Sequence, residues 1–416
     1  METEQYHPGS GFTEHIRTST YWLRSLSITM GVWPAGQVSM RARWYRALYY
    51  FVLMVHWFNT YLQTEFFFRN LGNLTLVVQG LCSFLSISTT GFKLMRLHAY
   101  EDELSRIWQT LEESVLFRQL RFLRKGNTGR LFGEMDQIVA RQWKEVQLNL
   151  RFYTLVVGAV ATMYSIIPLG SNLYHVVQGH EFNRSFVYNT YYPHLDTIKR
   201  RSPLYELLFC SESLSGYTTF AGVIAFDALY VVLVLYASSL VRLLNIAVQE
   251  TTNTNFTDQE RAFFLRECLL HHIRVKRLVE QINEVFSPIL LVQLFTSTSI
   301  ICVIAFAASF NAGQGESETM LMVLYLIAAI YQLFQFCWYG QRLQNESSDL
   351  PLAIYSTQWE LCAQEFKSSY HILLLHSQRQ IDICAWSFSA MSLETFCTII
   401  RSAASYFTVL QTLEEE

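Results

Sequence analysis

At 416 residues the chain has the length of two or three soluble domains. Composition argues against that: 51% is hydrophobic, only 16% is charged and the mean hydropathy is +0.18, which reads as a polytopic membrane protein. A formal net charge of -3 carries neither the basic footprint of a nucleic-acid binder nor a field that would steer acidic substrates.

The N-terminal segment 1–46 is polar and mixes acids with its bases, so it lacks the basic cap and apolar core of a cleaved signal peptide. Taking about 20 apolar residues as the spanning requirement, spans fall near 47–67, 74–95, 152–174, 207–235, 285–310, 320–339 and 391–413. The expected fold is therefore all-α, a single unit 47–413 with seven transmembrane helices. Most of the 31 lysines and arginines fall in the N-terminal segment and in the connectors after spans two, four and six. The positive-inside rule then puts the N-terminus in the cytoplasm and the tail 414–416 outside. That orientation is the reverse of a G-protein-coupled receptor. Asn183, in an Asn-Arg-Ser sequon of a predicted external loop, is a candidate glycosylation site.

The connectors 96–151, 236–284 and 340–390 are helical in pattern. Between Tyr100 and Leu123, residues Leu104, Ile107, Trp108, Leu111, Val115 and Leu116 recur at helical spacing with charges between them. Phe264, Leu265, Cys268, Leu269 and Ile273 form a second such face. A helix from Leu207 to Leu244 would be about 57 Å long against a hydrocarbon core of about 30 Å. The helices must project into the cytoplasm, where their apolar faces pack as an anchor domain suited to subunit contacts.

Signs of catalysis are lacking. No GxGxxG, GxxxxGK, HExxH or GxSxG occurs, and the adjacent pair His271-His272 points two ways on a helix, so no enzyme is expected. The eight cysteines include no CxxC pair and form no Cys/His cluster at metal spacing; they read as free thiols, with no metal or other cofactor. Asp227 interrupts an apolar run, and an ionisable group there is a functional candidate. Counted from an outer edge near Leu207, it falls at the cytoplasmic interface, where bonding to a neighbouring helix is the favoured reading. Aromatics in the outer halves of spans (Phe84, Tyr164, Phe209, Tyr217, Tyr325) are each explained by a lipid-facing belt or helix packing. Together with the hydroxyls of Ser86, Ser171 and Ser213 they suit an apolar pocket for a small volatile molecule.

The last span is the least apolar. Thr398, Ser402, Ser405, Val409 and Thr412 follow at steps of four and three on one helical face, while Phe396, Ile400, Ala403, Phe407 and Leu410 lie opposite. Hydrocarbon offers hydroxyls no partner, so the stripe faces another helix or water, and we read it as lining a pore. Arg401, near mid-span, is placed to snorkel or to pair with Glu394 two turns away, with ion repulsion as a further role.

From Phe336 onward the ordered segments FCWYGQRLQNESSDLPLAIYSTQW, HILLLHSQRQI, MSLETF and SYFTVL resemble the C-terminal signature of insect odorant receptors. The resemblance implies a ligand-gated, non-selective cation channel in the plasma membrane of sensory neurons. It implies a heterotetramer in which a tuning subunit joins a shared co-receptor subunit, with odorant, lipid and permeant cations as partners and no nucleic acid or G protein. Carried over by motif, SYFTVL implies a hydrophobic gate at Val409, with Gln411 and Thr412 toward the outer mouth; Ser405, Ser402 and Thr398 would line the pore below. The resemblance also puts the odorant pocket among spans two, three, four and six. Gln380 and His376 depart from residues common in the family, proline and arginine, in the anchor and away from the pore motif. The short connector Arg242–Val285 fits a tuning subunit better than the co-receptor. The alternatives are a gustatory-type ligand-gated channel and, with reversed topology, a seven-helix G-protein-coupled receptor.

Overall fold

The computed structural model describes residues 42–72, 74–112, 116, 120, 129–178, 184–195, 197–252, 256–310 and 316–415. Their helices are α1 (Ala42–Arg69), α2 (Leu74–Ala99), α3 (Glu101–Glu112), α4 (Gly129–Gln178), α5 (Leu204–Glu250), α6 (Asp258–Phe310), α7 (Glu316–Tyr355), α8 (Gln364–Ser377) and α9 (Leu393–Glu415). A 3-10 turn, Trp359–Leu361, precedes α8. A small antiparallel hairpin, β1 (Cys384–Ala385) with β2 (Ser389–Ala390), precedes α9 and pairs Cys384 with Ala390.

Seven of the helices are long enough to cross a bilayer. α4, α5, α6 and α7 contain 50, 47, 53 and 40 residues, and each holds a stretch apolar enough to span. α1, α2 and α9 are shorter and less apolar at 28, 26 and 23 residues, still above the length a span needs. The four long helices overrun the hydrocarbon thickness, as the sequence predicts; α6 packs with both α3 and α8, and α7 with α8.

α5 is the central strut. Every residue from Ile224 to Val241 is buried, and the helix packs against α7, α6, α4, α2 and α1. A helix apolar on all sides belongs inside a bundle. The amphipathic stretch of α3 turns Leu104, Ile107, Trp108 and Leu111 inward, and Gln281 of α6 donates to Glu103 Oε1 at 2.7 Å.

α6 starts with a capping box. The Glu260 amide donates to Thr257 Oγ1 at 3.3 Å, and the Thr257 amide donates back to Glu260 Oε2 at 3.0 Å. Phe264, Leu265 and Cys268 are buried as expected, but Ile273 is 46% exposed. The buried stripe instead continues through His271 and His272 to Val275, Leu278, Val279 and Ile282, at steps of three and four. Two histidines thus hold core positions that a purely apolar pattern would not assign them.

The inner end of α9 is held by backbone approach. A Cβ on Gly340 of α7 would overlap the Met391 backbone and come within 2.8 Å of Met391 Cβ, so glycine lets the two segments touch. Asn283 of α6 donates to the Asp382 carbonyl at 2.9 Å and accepts from the Cys384 amide at 3.0 Å, fixing the hairpin. Ser392 Oγ accepts from the Thr395 amide at 3.2 Å and caps α9.

Candidate functional site

A cavity of about 110 Å³ lies between α2, α4, α5 and α7, under the loop 184–195. α4 contributes Tyr153, Val157, Val160, Ala161 and Tyr164, residues one helical face apart. α5 contributes Gly216, Thr219, Phe220 and Val223, and α7 contributes Tyr325, Ala328, Ala329 and Gln332, both at the same i, i+3, i+4, i+7 spacing. Ser83, Ser86 and Ile87 of α2 close the remaining side. For scale, an engineered apolar cavity of about 150 Å³ takes benzene. The walls are aliphatic and aromatic, and the polar groups are hydroxyls and one amide, so shape and dispersion dominate what the site can select.

The hydroxyls are oriented by the protein. Ser86 Oγ and Tyr325 Oη are hydrogen-bonded to each other. Tyr164 meets Tyr325 edge to face, with centroids 6.0 Å apart, and lies 6.0 Å from Tyr188. Thr219 Oγ1 is 3.3 Å from Nε2 of the buried His56 of α1.

Glu212 builds the ceiling. It is 0% exposed and accepts from the Val187 and Tyr188 amides at 2.9 and 3.1 Å, and from the Thr190 and Tyr192 hydroxyls at 2.6 Å each. Four donors on one carboxylate pin the loop and drop Tyr188 over the cavity. Asn172 holds the other end of the loop, donating to the Ser185 carbonyl at 3.0 Å and accepting from the Ser185 amide at 2.8 Å. Gly216 makes room for the Tyr188 ring: a Cβ there would lie 2.5 Å from its hydroxyl.

Of the aromatics and hydroxyls expected at a pocket, Tyr164, Tyr325 and Ser86 line this cavity. Phe84, Phe209, Ser213, Tyr217 and Ser171 do not. The Phe209 ring lies tilted beside Tyr205 with centroids 5.8 Å apart, Tyr217 is 44% exposed, Ser171 is exposed, and Ser213 Oγ is buried without a partner among the described residues. Phe84 is half-buried on α2. The lining residues that sequence reasoning missed are mostly small or aliphatic, and the face spacing on α4, α5 and α7 was the available signal. Tyr188, in a loop, gave no periodic signal. Asn183 lies outside the described residues.

Asp227 is bonded to neighbouring helices, the reading the sequence favours. It is 3% exposed inside the bundle, one turn below Val223, with Lys93 Nζ 3.2 Å from its Oδ1. A paired and hydrogen-bonded carboxylate can be held inside a helix bundle.

On α9 the two faces separate as the sequence predicts. Ala403 is buried, and Phe396, Ile400 and Phe407 pack against the core. Thr398, Ser405, Val409, Gln411 and Thr412 are exposed and Ser402 is half-buried; Val409 is 53% exposed. The hydroxyls of Thr398, Ser402, Ser405 and Thr412 donate to carbonyls of their own helix at 2.8 to 3.1 Å. Arg401 is exposed, and no ion pair joins it to Glu394 among the described residues.

Odorant receptor 63a of Drosophila melanogaster is 26% identical to this chain over 286 residues, 68% of each protein. Odorant receptor 85c of the same fly is 21% identical over 365 residues, 83% of this chain and 90% of the relative. The fold resembles the insect olfactory receptor OR5 from Machilis hrabei, solved in complex with eugenol, with a TM-score of 0.76 at 15% identity over 96% of this chain and 99% of that one. A model of the 7tm odorant receptor family matches residues 73–404, a stretch that takes in every helix lining the cavity and reaches into α9. The chain belongs to that family and is an odorant receptor.

Proposed function

We propose that the chain is the tuning subunit of an odorant-gated, non-selective cation channel, with its N-terminus in the cytoplasm and α9 lining the pore. The observation that carries this reading is the exposed stripe on α9. Its apolar face is used up against α6 and α7, while Thr398, Ser405, Val409 and Thr412 are exposed and Ser402 is half-buried, with the hydroxyls donating to carbonyls of their own helix. A membrane helix that leaves its polar side uncovered needs water or partner subunits there, and a ring of such helices around an axis supplies both.

A small apolar odorant occupies the cavity between α2, α4, α5 and α7. It favours the open arrangement by no more than its differential affinity for the two states. Val409 side chains block ions by dewetting when close and admit water and cations when apart. Gln411 and Thr412 stand beyond that constriction, and the hydroxyls below it give weak, non-selective contacts. The co-receptor subunit completes the ring in the plasma membrane of a sensory neuron, and the projecting helices carry the contacts between subunits.

Whole-cell recording from cells expressing the chain with and without a co-receptor, across a panel of alcohols, esters and phenols, tests the reading. The expected result is an odorant-evoked cation current that needs this chain and changes in gating or permeation with Val409→Ala and Val409→Trp. Unchanged gating and permeation in both variants would remove Val409 from the gate. Antibody access to an N-terminal tag on unpermeabilised cells would overturn the topology.

A further inference from the structure

Beneath the cavity, five helices meet in a polar cluster that hydrocarbon cannot solvate. Lys93 of α2 and Asp227 of α5 are 3.2 Å apart, with side chains 2% and 4% exposed. The second carboxylate oxygen of Asp227 accepts from the Tyr153 hydroxyl of α4 and from Gln332 Nε2 of α7, both at 2.6 Å. Gln332 Oε1 accepts in turn from Gln293 Nε2 of α6 at 3.2 Å, and Gln293 also donates to Ser297 at 3.0 Å. The Lys93 ammonium sits 4.5 Å from the Phe226 ring centroid.

Two features separate this cluster from ordinary packing. Tyr153 and Gln332 belong to the cavity floor, so two of the three side chains that hold the carboxylate are open to contact from an occupant of the cavity. Two residues along α7 from Gln332, Phe334 meets Phe396 of α9 with centroids 5.6 Å apart. The path from the cavity to the pore-facing helix is therefore one carboxylate and one short piece of α7. A buried ion pair is also a poor way to gain stability, since well-packed apolar residues of similar volume often do as well.

We propose that the Lys93–Asp227 pair, held by Tyr153 and Gln332, couples occupancy of the cavity to the position of α9. This rests on the channel reading above. A ligand that shifts Tyr153 or Gln332 changes how many donors the carboxylate keeps. Buried polar contacts re-form in discrete arrangements rather than stretch, so α7 moves between two positions and carries Phe396 with it. Lys93 and Asp227 are positioning residues; neither lines the cavity.

The test uses the double variant Lys93→Met/Asp227→Leu, which removes both charges without stranding either, alongside Tyr153→Phe and Lys93→Arg. Surface abundance is read by biotinylation. Binding is measured on the purified chain with the alcohol, ester or phenol that evokes the largest wild-type current, and basal and maximal currents are recorded beside it. The expected result is that the double variant reaches the surface and binds as the wild type does. Its basal or maximal current then changes by at least about fivefold, the low end of measured coupling factors. Tyr153→Phe shifts the same currents in the same direction, and Lys93→Arg, which keeps the pair, restores wild-type behaviour. If the double variant fails to reach the surface, Tyr153→Phe decides: wild-type binding with wild-type currents overturns the proposal, as it would in the double variant. A wild-type chain that binds but never conducts overturns the channel reading and the coupling with it, whereas a conducting wild type with an unaltered double variant overturns the coupling alone.

Discussion

Gly216→Ala should change which odorants fit without unfolding the protein. Glycine inside a helix is disfavoured relative to alanine by about 0.8–1.0 kcal/mol, so the substitution favours α5 locally. The new Cβ, however, would lie 2.5 Å from the Tyr188 hydroxyl and 3.7 Å from Cζ. Ordinary carbon contacts begin near 3.5 Å, so the hydroxyl must retreat by about 1 Å. The Tyr188 backbone cannot follow, because its amide is held by Glu212 at 3.1 Å. The ring therefore swings into the cavity it lines and removes space on the scale of one methylene. One methylene in an apolar pocket is worth about 1–3 kcal/mol, or 10- to 200-fold. Concentration–response curves for a homologous series of esters or alcohols should show the largest active members losing at least about tenfold in potency, while the smallest are unaffected. Tyr188→Phe removes the clashing oxygen, leaving only the 3.7 Å contact, and should restore the large odorants in the Gly216→Ala background. An unchanged size profile in Gly216→Ala, or failure of Tyr188→Phe to restore it, would refute the reasoning.

Two further predictions concern stability. Gly340→Ala drives a methyl into the Met391 backbone and should cost at least the roughly 1–3 kcal/mol of an overpacked core, read as lost surface abundance and a lower unfolding temperature. Gly72→Ala meets nothing within 4 Å and serves as the control that should change neither. Burial in the projecting end of α6 pushes both His271 and His272 down to about 4. The unfolded chain takes up protons below about pH 6.5 while the folded chain does not, so stability falls as pH drops from about 6.5 toward 4, by up to about 3 kcal/mol for one ring. Thermal unfolding of the purified chain across that window should show the slope, and replacing both histidines by leucine should flatten it.

Where this chain's fold was legible, the reason is periodicity. The seven spans, the inward face of α3 and the two-sided character of α9 follow from apolar spacing, because helices in hydrocarbon satisfy their own backbone and leave side-chain pattern as the signal. The tail motifs of α7 to α9 added the family. The cavity was less legible: Tyr164, Tyr325 and Ser86 stood out as aromatic or hydroxyl groups in outer half-spans, but Val157, Ala161, Gly216 and Ala328 look like any packing residue until four helices are set around one volume. Tyr188 reaches the site only because Glu212 gathers four donors from its loop.

Asp227 marks the boundary between the two kinds of knowledge. Sequence by itself determined that an ionisable group interrupts an apolar helix, and so that it needs a partner. Only the tertiary structure decided that the partner is Lys93, 134 residues away, with Tyr153 and Gln332 completing the shell. The physical reason is that the one-dimensional pattern records which faces avoid water, whereas pairing inside the bundle depends on which helices are neighbours and at what depth their side chains meet.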